Sequence, residues 1–95
     1  MNDLAIETVV IRDPIGLHAR PAIKVSKLAK KFDANIELSI SKGERWVNAK
    51  SVNAVMKLKA TAGAQLLIRA KGTDANTAVE NLADLIEQSF QDGSK

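Results

Sequence analysis

The sequence predicts a single α+β domain in which about four strands form one sheet and helices cover one face of it. Its length of 95 residues is typical of one domain. Strand-like and helix-like segments follow one another in the order β-α-β-β-α-β-α. One strand-like segment has a polar side, which indicates that the other face of the sheet is open to solvent.

The first strand and helix are predicted within residues 4–32. Residues 4–11 are rich in β-branched side chains, which is typical of a strand, and turn residues follow at Asp13-Pro14-Ile15-Gly16. Apolar residues recur at helical spacing over residues 19–32, with Pro21 near the start, where its missing N–H leaves no intrahelical bond unmade. The residues expected on the buried face of this helix are Ala22, Val25, Leu28, Ala29 and Phe32.

A β-hairpin is predicted for residues 35–49. Residues 35–41 alternate between apolar and polar side chains, which is typical of a half-buried strand. Ser41-Lys42-Gly43-Glu44 predicts the hairpin loop and residues 45–49 the returning strand, so at least one pair of strands is antiparallel. Ile36, Leu38 and Ile40 are expected to face the core, and Asn35, Glu37, Ser39 and Ser41 to face solvent.

A short helix and a further strand follow the hairpin. Ser51 is a suitable N-cap for the helix. Residues 61–63 predict a turn and residues 64–70 predict the strand. The residues expected to point inward from these two elements are Val52, Val55, Met56, Leu66 and Ile68.

The last helix gives the clearest helical pattern in the chain. Thr73 or Asp74 is expected to cap it. We expect the ordered core of the domain to span about residues 4–90 and the polar tail at residues 91–95 to be frayed. The apolar stripe of the helix consists of Ala75, Ala78, Val79, Leu82, Leu85, Ile86 and Phe90.

The charge of the chain is mildly basic, with 14 basic and 11 acidic residues and a net charge of +3. This balance fits an acidic protein partner or an anionic ligand better than a polybasic nucleic-acid arm. Aromatic residues are few, namely Phe32, Trp46 and Phe90, so there is little from which to build a stacking platform for bases. A nucleic-acid-binding domain is therefore disfavoured.

The sequence contains no cysteine. This excludes a disulfide framework, a thiolate metal site and a cysteine nucleophile, and it permits a reducing compartment. Residues 1–7 have no long apolar run and do not resemble a signal peptide, and no stretch has the apolar length that spans a bilayer. We therefore expect a cytoplasmic protein without membrane insertion.

The most informative segment is Gly16-Leu17-His18-Ala19-Arg20-Pro21-Ala22, which places the single histidine where a loop meets a helix. Imidazole is largely neutral near physiological pH and keeps a lone pair on one ring nitrogen, as a phosphoryl acceptor requires. The helix N-terminus supplies unpaired N–H donors and the positive end of the helix dipole. Arg20 adds a planar cation suited to phosphate oxygens. His18 is therefore a candidate phosphoryl acceptor.

Other interpretations of His18 stay open when the residues are taken alone. A plain surface or capping histidine fits about equally well, although histidine is not a favoured N-cap. A metal site would need carboxylates beside one histidine, and a Ser-His-Asp triad has no supporting sequence pattern.

A second segment, Asn48-Ala49-Lys50-Ser51-Val52, places a serine at a helix start. Ser51 is most simply an N-cap, and it is alternatively a site of regulatory phosphorylation, since the helix dipole favours added negative charge there. The helical lysines at positions 24, 27, 30 and 31 form either a solvated face or a surface that attracts an acidic partner.

Both segments resemble those of a known family. The run at residues 16–22 closely resembles the active-site signature of HPr-type phosphocarriers of the phosphoenolpyruvate-dependent phosphotransferase system, and residues 48–52 resemble the serine-site segment of that family. The length and the order of elements also agree, so the resemblance covers roughly residues 4–90.

The resemblance implies a fold and a function. The fold would be an open-faced β-sandwich, with a four-stranded antiparallel sheet and three helices on one face. His18 would be phosphorylated on Nδ1 by enzyme I, itself charged by phosphoenolpyruvate, and would pass the group to an enzyme II A component. Arg20 and the backbone of Ala19 and Arg20 would bind the phosphoryl group. Ser51 would be the residue that a dedicated kinase/phosphatase modifies in some members.

The resemblance also implies a carrier that is not an enzyme in the ordinary sense. It binds no metal or organic cofactor, and we expect a monomer. Its partners would meet it in transient encounters at a small surface, with Val52, Val55 and Met56 divided between core and contact. The residues expected to contact partners are Ile15, Leu17, Lys24, Val52, Asn53, Val55 and Met56.

Two positions bear on the branch of the family. Ile15 stands where sugar-type carriers often have a small polar residue, and Asn53 stands where a bulky apolar docking residue is common. Ile15 and Phe32-Asp33-Ala34 look more like the nitrogen-related branch, so both branches stay open. A rival function is a regulatory protein-binding module without phosphotransfer. Such a module needs no nucleophile at His18, so His18→Ala discriminates between the two.

Overall fold

The computed structural model describes residues 4–12, 19–40, 45–61 and 63–88. Its elements follow the predicted order, with three helices and four strands. They are β1 (Leu4–Val10), α1 (Ala19–Ala29), β2 (Asn35–Ile40), β3 (Val47–Asn48), α2 (Val52–Lys57), β4 (Gln65–Lys71) and α3 (Ala75–Glu87). The turn predicted at residues 13–16, the hairpin loop at 41–44, Phe90 of the last stripe and the frayed tail lie outside the described residues.

The four strands form one sheet in the order β1-β4-β2-β3, and every neighbouring pair is antiparallel. The central strands are β4 and β2, and β1 and β3 form the edges. Helix α3 packs across β1 and β4, and α1 packs against α2 and α3. The structure thus confirms the predicted antiparallel sheet with helices on one face.

The core is aliphatic, as the small number of aromatic residues predicts. Alternate residues of β4 point toward the helices, so Leu66 and Ile68 are fully buried, as predicted. The described residues of the α3 stripe, from Ala75 to Ile86, are buried as well, apart from Leu85, which is half-buried against the core. The largest fully buried apolar side chains are Ile11, Ile36, Leu38, Leu66, Ile68, Leu82, Ile86, Val25 and Val55.

Helix α1 ends at Ala29, earlier than the predicted end at Phe32. The chain tightens there into a turn, in which the N–H of Phe32 donates to the carbonyl oxygen of Ala29 at 3.2 Å. Phe32 still packs partly buried against the core, which explains why it matched the helical stripe. The returning strand β3 covers two residues, fewer than the predicted span of 45–49.

Two predictions of side-chain exposure are wrong. Ser39 was expected to face solvent, yet it is fully buried. Its short side chain lies on an interior strand, paired with Leu67 of β4, so larger neighbours cover it. Met56 was expected to point inward, yet 38% of it is exposed, and Val55 alone of the α2 residues is fully buried.

A long-range contact joins the start of β2 to the start of α3. Asp74 is the N-cap residue of α3, but its side chain makes no cap hydrogen bond to that helix. Its carboxylate instead accepts from the backbone N–H groups of Asp33 and Ala34, each at 2.9 Å. Gly72 lies beside this contact and has a φ of +147°. A Cβ atom at this position would lie only 2.8 Å from the Cα of Ala34, so no side chain fits there.

Within the described ranges, no helix is both long and apolar enough to cross a membrane.

Candidate functional site

The N-terminus of α1 lies directly after His18 in the chain. The helix begins at Ala19, Arg20 is exposed in its first turn, and Pro21 is buried. The first turn carries no acidic residue. The N–H groups of Ala19 and Arg20 have no partner within the helix, and the exposed Arg20 adds positive charge at the positive end of the helix dipole. This arrangement can stabilise an anion at the residue that precedes the helix.

Three of the predicted site residues, Ile15, Leu17 and His18, lie outside the described residues. The structure places the predicted phosphoryl-binding groups of Ala19 and Arg20 at the start of α1.

Ser51 is the N-cap of α2, as predicted. Its Oγ accepts from the N–H of Ala54 at 3.2 Å, and its own N–H donates to the carbonyl oxygen of Asn48 at 3.2 Å. The Ser51 side chain is half-buried. The hydroxyl thus has a structural role in α2, and it still has partial access to solvent.

Hydrogen bonds hold the segment before Ser51 against α1. The buried Ser26 of α1 donates from Oγ to the carbonyl oxygen of Lys50 at 2.7 Å. The Lys50 N–H donates to Asn48 Oδ1 at 2.9 Å, and Lys50 Nζ donates to the carbonyl oxygen of Phe32 at 2.7 Å. Since α1 also packs against α2, the two candidate segments belong to one helical unit.

The residues predicted to contact partners divide between surface and core. Asn53 and Met56 are exposed on α2, Val52 is half-buried, and Lys24 is half-buried on α1. Val55 is fully buried. Its predicted partner contact is therefore wrong, because its side chain fills the core beneath α2.

Sequence reasoning missed Ile23, which is 51% exposed on α1, one turn after Arg20. Ile23 therefore adds exposed apolar area to the α1 surface near Arg20. A signal was available, since Ile23 lies outside the buried stripe that Ala22 and Val25 belong to.

The two helices are positively charged. Helix α1 carries Arg20, Lys24 and Lys27, α2 carries Lys57, and neither helix contains an acidic residue. Their shared surface is therefore suited to an acidic partner. Among the described residues, no group of three or more His, Cys, Asp or Glu side chains is placed to hold a metal ion.

Comparison with known proteins shows the family of the chain. The family model described as the PTS HPr component phosphorylation site matches residues 6–88. The chain is 39% identical over 84 residues to phosphocarrier protein HPr of Xylella fastidiosa (strain 9a5c), a match that covers 88% of this chain and 92% of that protein. It is 36% identical over 86 residues to phosphocarrier protein NPr of Shewanella violacea, covering 90% of this chain and 92% of that protein.

Solved structures show the same fold. The crystal structure of HPr-C-His from Thermoanaerobacter tengcongensis matches with a TM-score of 0.83 and 37% identity, covering 90% of this chain and 94% of that chain. The family model, the relatives and the shared fold lead to the same conclusion. The chain belongs to the HPr family and is a phosphocarrier of the phosphotransferase system.

Proposed function

We propose that His18 accepts a phosphoryl group from phosphorylated enzyme I and passes it to an enzyme II A component. The observation that carries this proposal is the start of α1 at Ala19, with Arg20 exposed in an acid-free first turn. In the sequence, these N–H donors and this cation directly follow the single histidine of the chain, which supports the proposal.

The chemistry consists of two phosphoryl transfers, one from enzyme I to His18 and one from His18 to the enzyme II A component. Nδ1 of a neutral His18 attacks phosphorus, and the N–P bond forms as the bond from phosphorus to enzyme I breaks, with the leaving electron pair staying on enzyme I. In the second transfer a nucleophile of the enzyme II A component attacks phosphorus, and as that new bond forms the N–P bond breaks and its electron pair returns to Nδ1. The imidazole is a good acceptor only when it is neutral, because the neutral ring keeps a lone pair on one nitrogen.

Arg20 and the backbone N–H groups of Ala19 and Arg20 stabilise the phosphoryl oxygens. A guanidinium offers planar paired donors that match those oxygens, and a lysine in its place offers only a point charge. Because the carrier holds the group but needs other proteins for both transfers, it acts as a carrier rather than as a catalyst.

The surface of α1 and α2 receives the partners. Its cations attract acidic proteins and speed the encounter, and its exposed apolar residues provide a small contact area. The exposed apolar side chains on this surface are Ile23 and Met56, with Asn53 beside them on α2. Encounters through so small an area are transient.

Ser51 is proposed as a regulatory site for a dedicated kinase/phosphatase. A phosphoryl group on its Oγ would keep an acceptor near the N–H of Ala54 and would add negative charge to a positively charged surface. That charge would repel an acidic partner and would slow the first transfer. Support comes from the resemblance of residues 48–52 and from the partial exposure of Ser51.

The remaining features of the proposal follow from the family and from the composition. The chain acts as one domain over residues 1–95, as a cytoplasmic monomer without a cofactor and without a nucleic-acid partner. The relatives include proteins named HPr and NPr at similar sequence identity. The sugar-transport branch and the nitrogen-related branch are therefore both open. The receiving enzyme II A component therefore defines the branch, and a chase of the phosphorylated carrier with both kinds would identify it.

The experiment that tests the proposed site compares Arg20→Ala, Arg20→Lys and the matched control Lys30→Ala in phosphotransfer from enzyme I. We expect Arg20→Ala to slow the transfer by roughly 10- to 100-fold and Arg20→Lys to restore it only in part, because lysine lacks the planar donors. Lys30 is exposed elsewhere on the chain, and its replacement should leave the rate unchanged. Equal rates in all variants would contradict a phosphate-binding role for Arg20.

A further inference from the structure

The sheet face opposite the helices carries a groove that phosphotransfer does not use. The groove has a volume of about 600 Å³, and its lining includes Leu4, Ile6, Glu37, Lys50, Arg69 and Lys71. We call it the open-face groove. Ala5, which lies between the lining residues Leu4 and Ile6 on β1, is buried on the helix side, so Leu4 and Ile6 lie on the solvent side of the sheet.

One wall of the open-face groove is apolar and the other is basic. Leu4 is 50% exposed and Ile6 is 58% exposed on β1. The strand register pairs Leu4 with Lys71 and Ile6 with Arg69. Each exposed apolar side chain thus lies directly across from a cation, about 5 Å away at Cβ.

The charge of the open-face groove is unbalanced. Glu37 is its only lining carboxylate among the described residues, and its Oε1 accepts from Arg69 Nε and Nη2, each at 2.7 Å. Lys50 donates to the carbonyl oxygen of Phe32 and also interacts electrostatically with the carboxylate of Asp74, which does not line the groove. Lys71 is exposed and makes no ion pair within the part of the chain that is described. The groove therefore presents excess positive charge beside exposed aliphatic surface.

The position of the open-face groove separates it from the phosphoryl site. The groove lies where β1 begins and β4 ends, at Leu4 and Lys71. The chain leaves β1 at its other end, after Val10, toward α1. The helices and the groove also lie on opposite faces of the sheet. A partner in the groove would therefore leave the start of α1 free for enzyme I.

We propose that the open-face groove docks an acidic segment of a partner protein, in which carboxylate and apolar side chains alternate. Successive residues of an extended segment point to opposite faces, so the carboxylates can face the basic wall while the apolar side chains face the apolar wall, with about 6.6 Å between neighbours on each face. The occupant is acidic because three lining cations face one carboxylate.

Two other occupants fit the groove less well. The nearby Trp46 ring is stacked against Arg69, whose Cζ lies 3.9 Å from the ring centroid, so this ring is already engaged on one face and is a poor platform for a base. A second copy of the chain, paired groove to groove, would bring two positive surfaces together.

Trp46 provides the readout, since it is the single tryptophan of the chain and contacts Arg69. The probe is the peptide acetyl-Gly-Asp-Leu-Asp-Leu-Asp-Gly-amide, with a matched peptide that has Asn in place of each Asp. We expect saturable quenching or enhancement of Trp46 fluorescence by the acidic peptide, with at least tenfold weaker binding of the Asn peptide. Amide NMR shifts should cluster at Leu4, Ile6, Arg69 and Lys71.

Variants assign the binding to the groove. Lys71→Gln and Ile6→Ser should each weaken binding by roughly fivefold, and Glu37→Gln should strengthen it because Arg69 loses its carboxylate partner. Lys30→Gln, a matched loss of one exposed charge outside the groove, should leave binding unchanged. Circular dichroism confirms that each variant is folded, and His18→Ala should bind the peptide normally, which separates this proposal from the phosphocarrier site.

The opposite results overturn the proposal. One such result is no change in fluorescence or NMR shifts at millimolar peptide concentration. Another is equal binding of the Asp and Asn peptides, and a third is that Lys30→Gln weakens binding as much as Lys71→Gln does. Tighter binding of oligouridylate than of the acidic peptide would assign the groove to nucleic acid instead. Concentration-dependent dimerisation abolished by Ile6→Ser would assign it to a second copy.

Discussion

The Ser26 hydroxyl of α1 donates a 2.7 Å hydrogen bond to the carbonyl oxygen of Lys50, the residue before the N-cap of α2. The two residues are separated by 24 positions in the chain, and Ser26 is buried. This bond fixes where α2 starts relative to α1, and it thereby positions Ser51 within the helical surface.

Ser26→Ala should lower the free energy of unfolding by about 1–3 kcal/mol, because it leaves the Lys50 carbonyl without its partner. The matched control is Ser39→Ala, since Ser39 is also buried but its Oγ lies 3.5 Å from the acceptor oxygen of Ile40, at the limit of hydrogen-bond distance. We expect a loss below about 1 kcal/mol for the control. Urea denaturation measures both, and equal losses would argue against the Ser26 bond.

Asp74 should make the stability of the fold depend on pH. Backbone hydrogen bonds, first from Asp33 and then from Ala34, lower the pKa of its carboxyl below the ordinary value of 3.8, against the opposing effect of desolvation, and Lys50 adds a smaller electrostatic contribution. A carboxyl with a lowered pKa in the folded state stabilises the fold above its unfolded pKa. That stabilisation is lost as the pH falls through the lower folded pKa.

Asp74→Asn should therefore be less stable than the native chain at pH 7, and the difference should shrink as the pH falls below about 4. Urea denaturation at several pH values gives this difference, with the exposed Asp84→Asn as control. An NMR titration of the Asp74 carboxyl that gave a pKa above 3.8 would contradict the assignment.

Gly72→Ala and Gly63→Ala separate crowding from backbone strain. Both glycines have positive φ, +147° and +86°, but an added Cβ meets Ala34 only at Gly72 and finds open space at Gly63. We expect a loss of about 1–2 kcal/mol at Gly63 from the left-handed backbone alone. Gly72→Ala should lose more, because Ala34 must also move. If thermal or urea unfolding showed a smaller loss of stability for Gly72→Ala than for Gly63→Ala, Ala34 would be shown to move without an energetic cost.

Val55→Ala and Met56→Ala test how α2 divides between core and surface. Val55 is fully buried, so its truncation should lower the free energy of unfolding by about 2 kcal/mol. Met56 is 38% exposed, so its truncation should change stability by less than about 0.5 kcal/mol and should raise the KM of enzyme I for the carrier. The reverse pattern would show that α2 presents a different face to its partners.

The elements with strong local patterns were predictable from the sequence. The Ser51 cap and the α3 stripe depend on neighbouring residues, and their predicted positions are confirmed. The start of α1 beside His18 also agrees with the prediction, since the helical pattern begins there.

The features that could not be predicted from the sequence depend mainly on contacts between residues far apart in the chain. The carboxylate of Asp74 binds backbone groups 40 and 41 positions away, and no local pattern indicates that it turns from its own helix. Ser39 is buried because the sheet order places its strand in the interior, next to β4. Met56 is apolar yet exposed, and a hydrophobicity pattern alone assigns such a residue to the core.

The central claim is that His18 carries the phosphoryl group, and intact mass spectrometry tests it most directly. The protein and its His18→Ala variant would each be incubated with enzyme I, phosphoenolpyruvate and magnesium. We predict that the native protein gains one acid-labile phosphoryl group and that His18→Ala gains none. No gain by the native protein with several competent enzyme I proteins, or an equal gain by His18→Ala, would contradict the account.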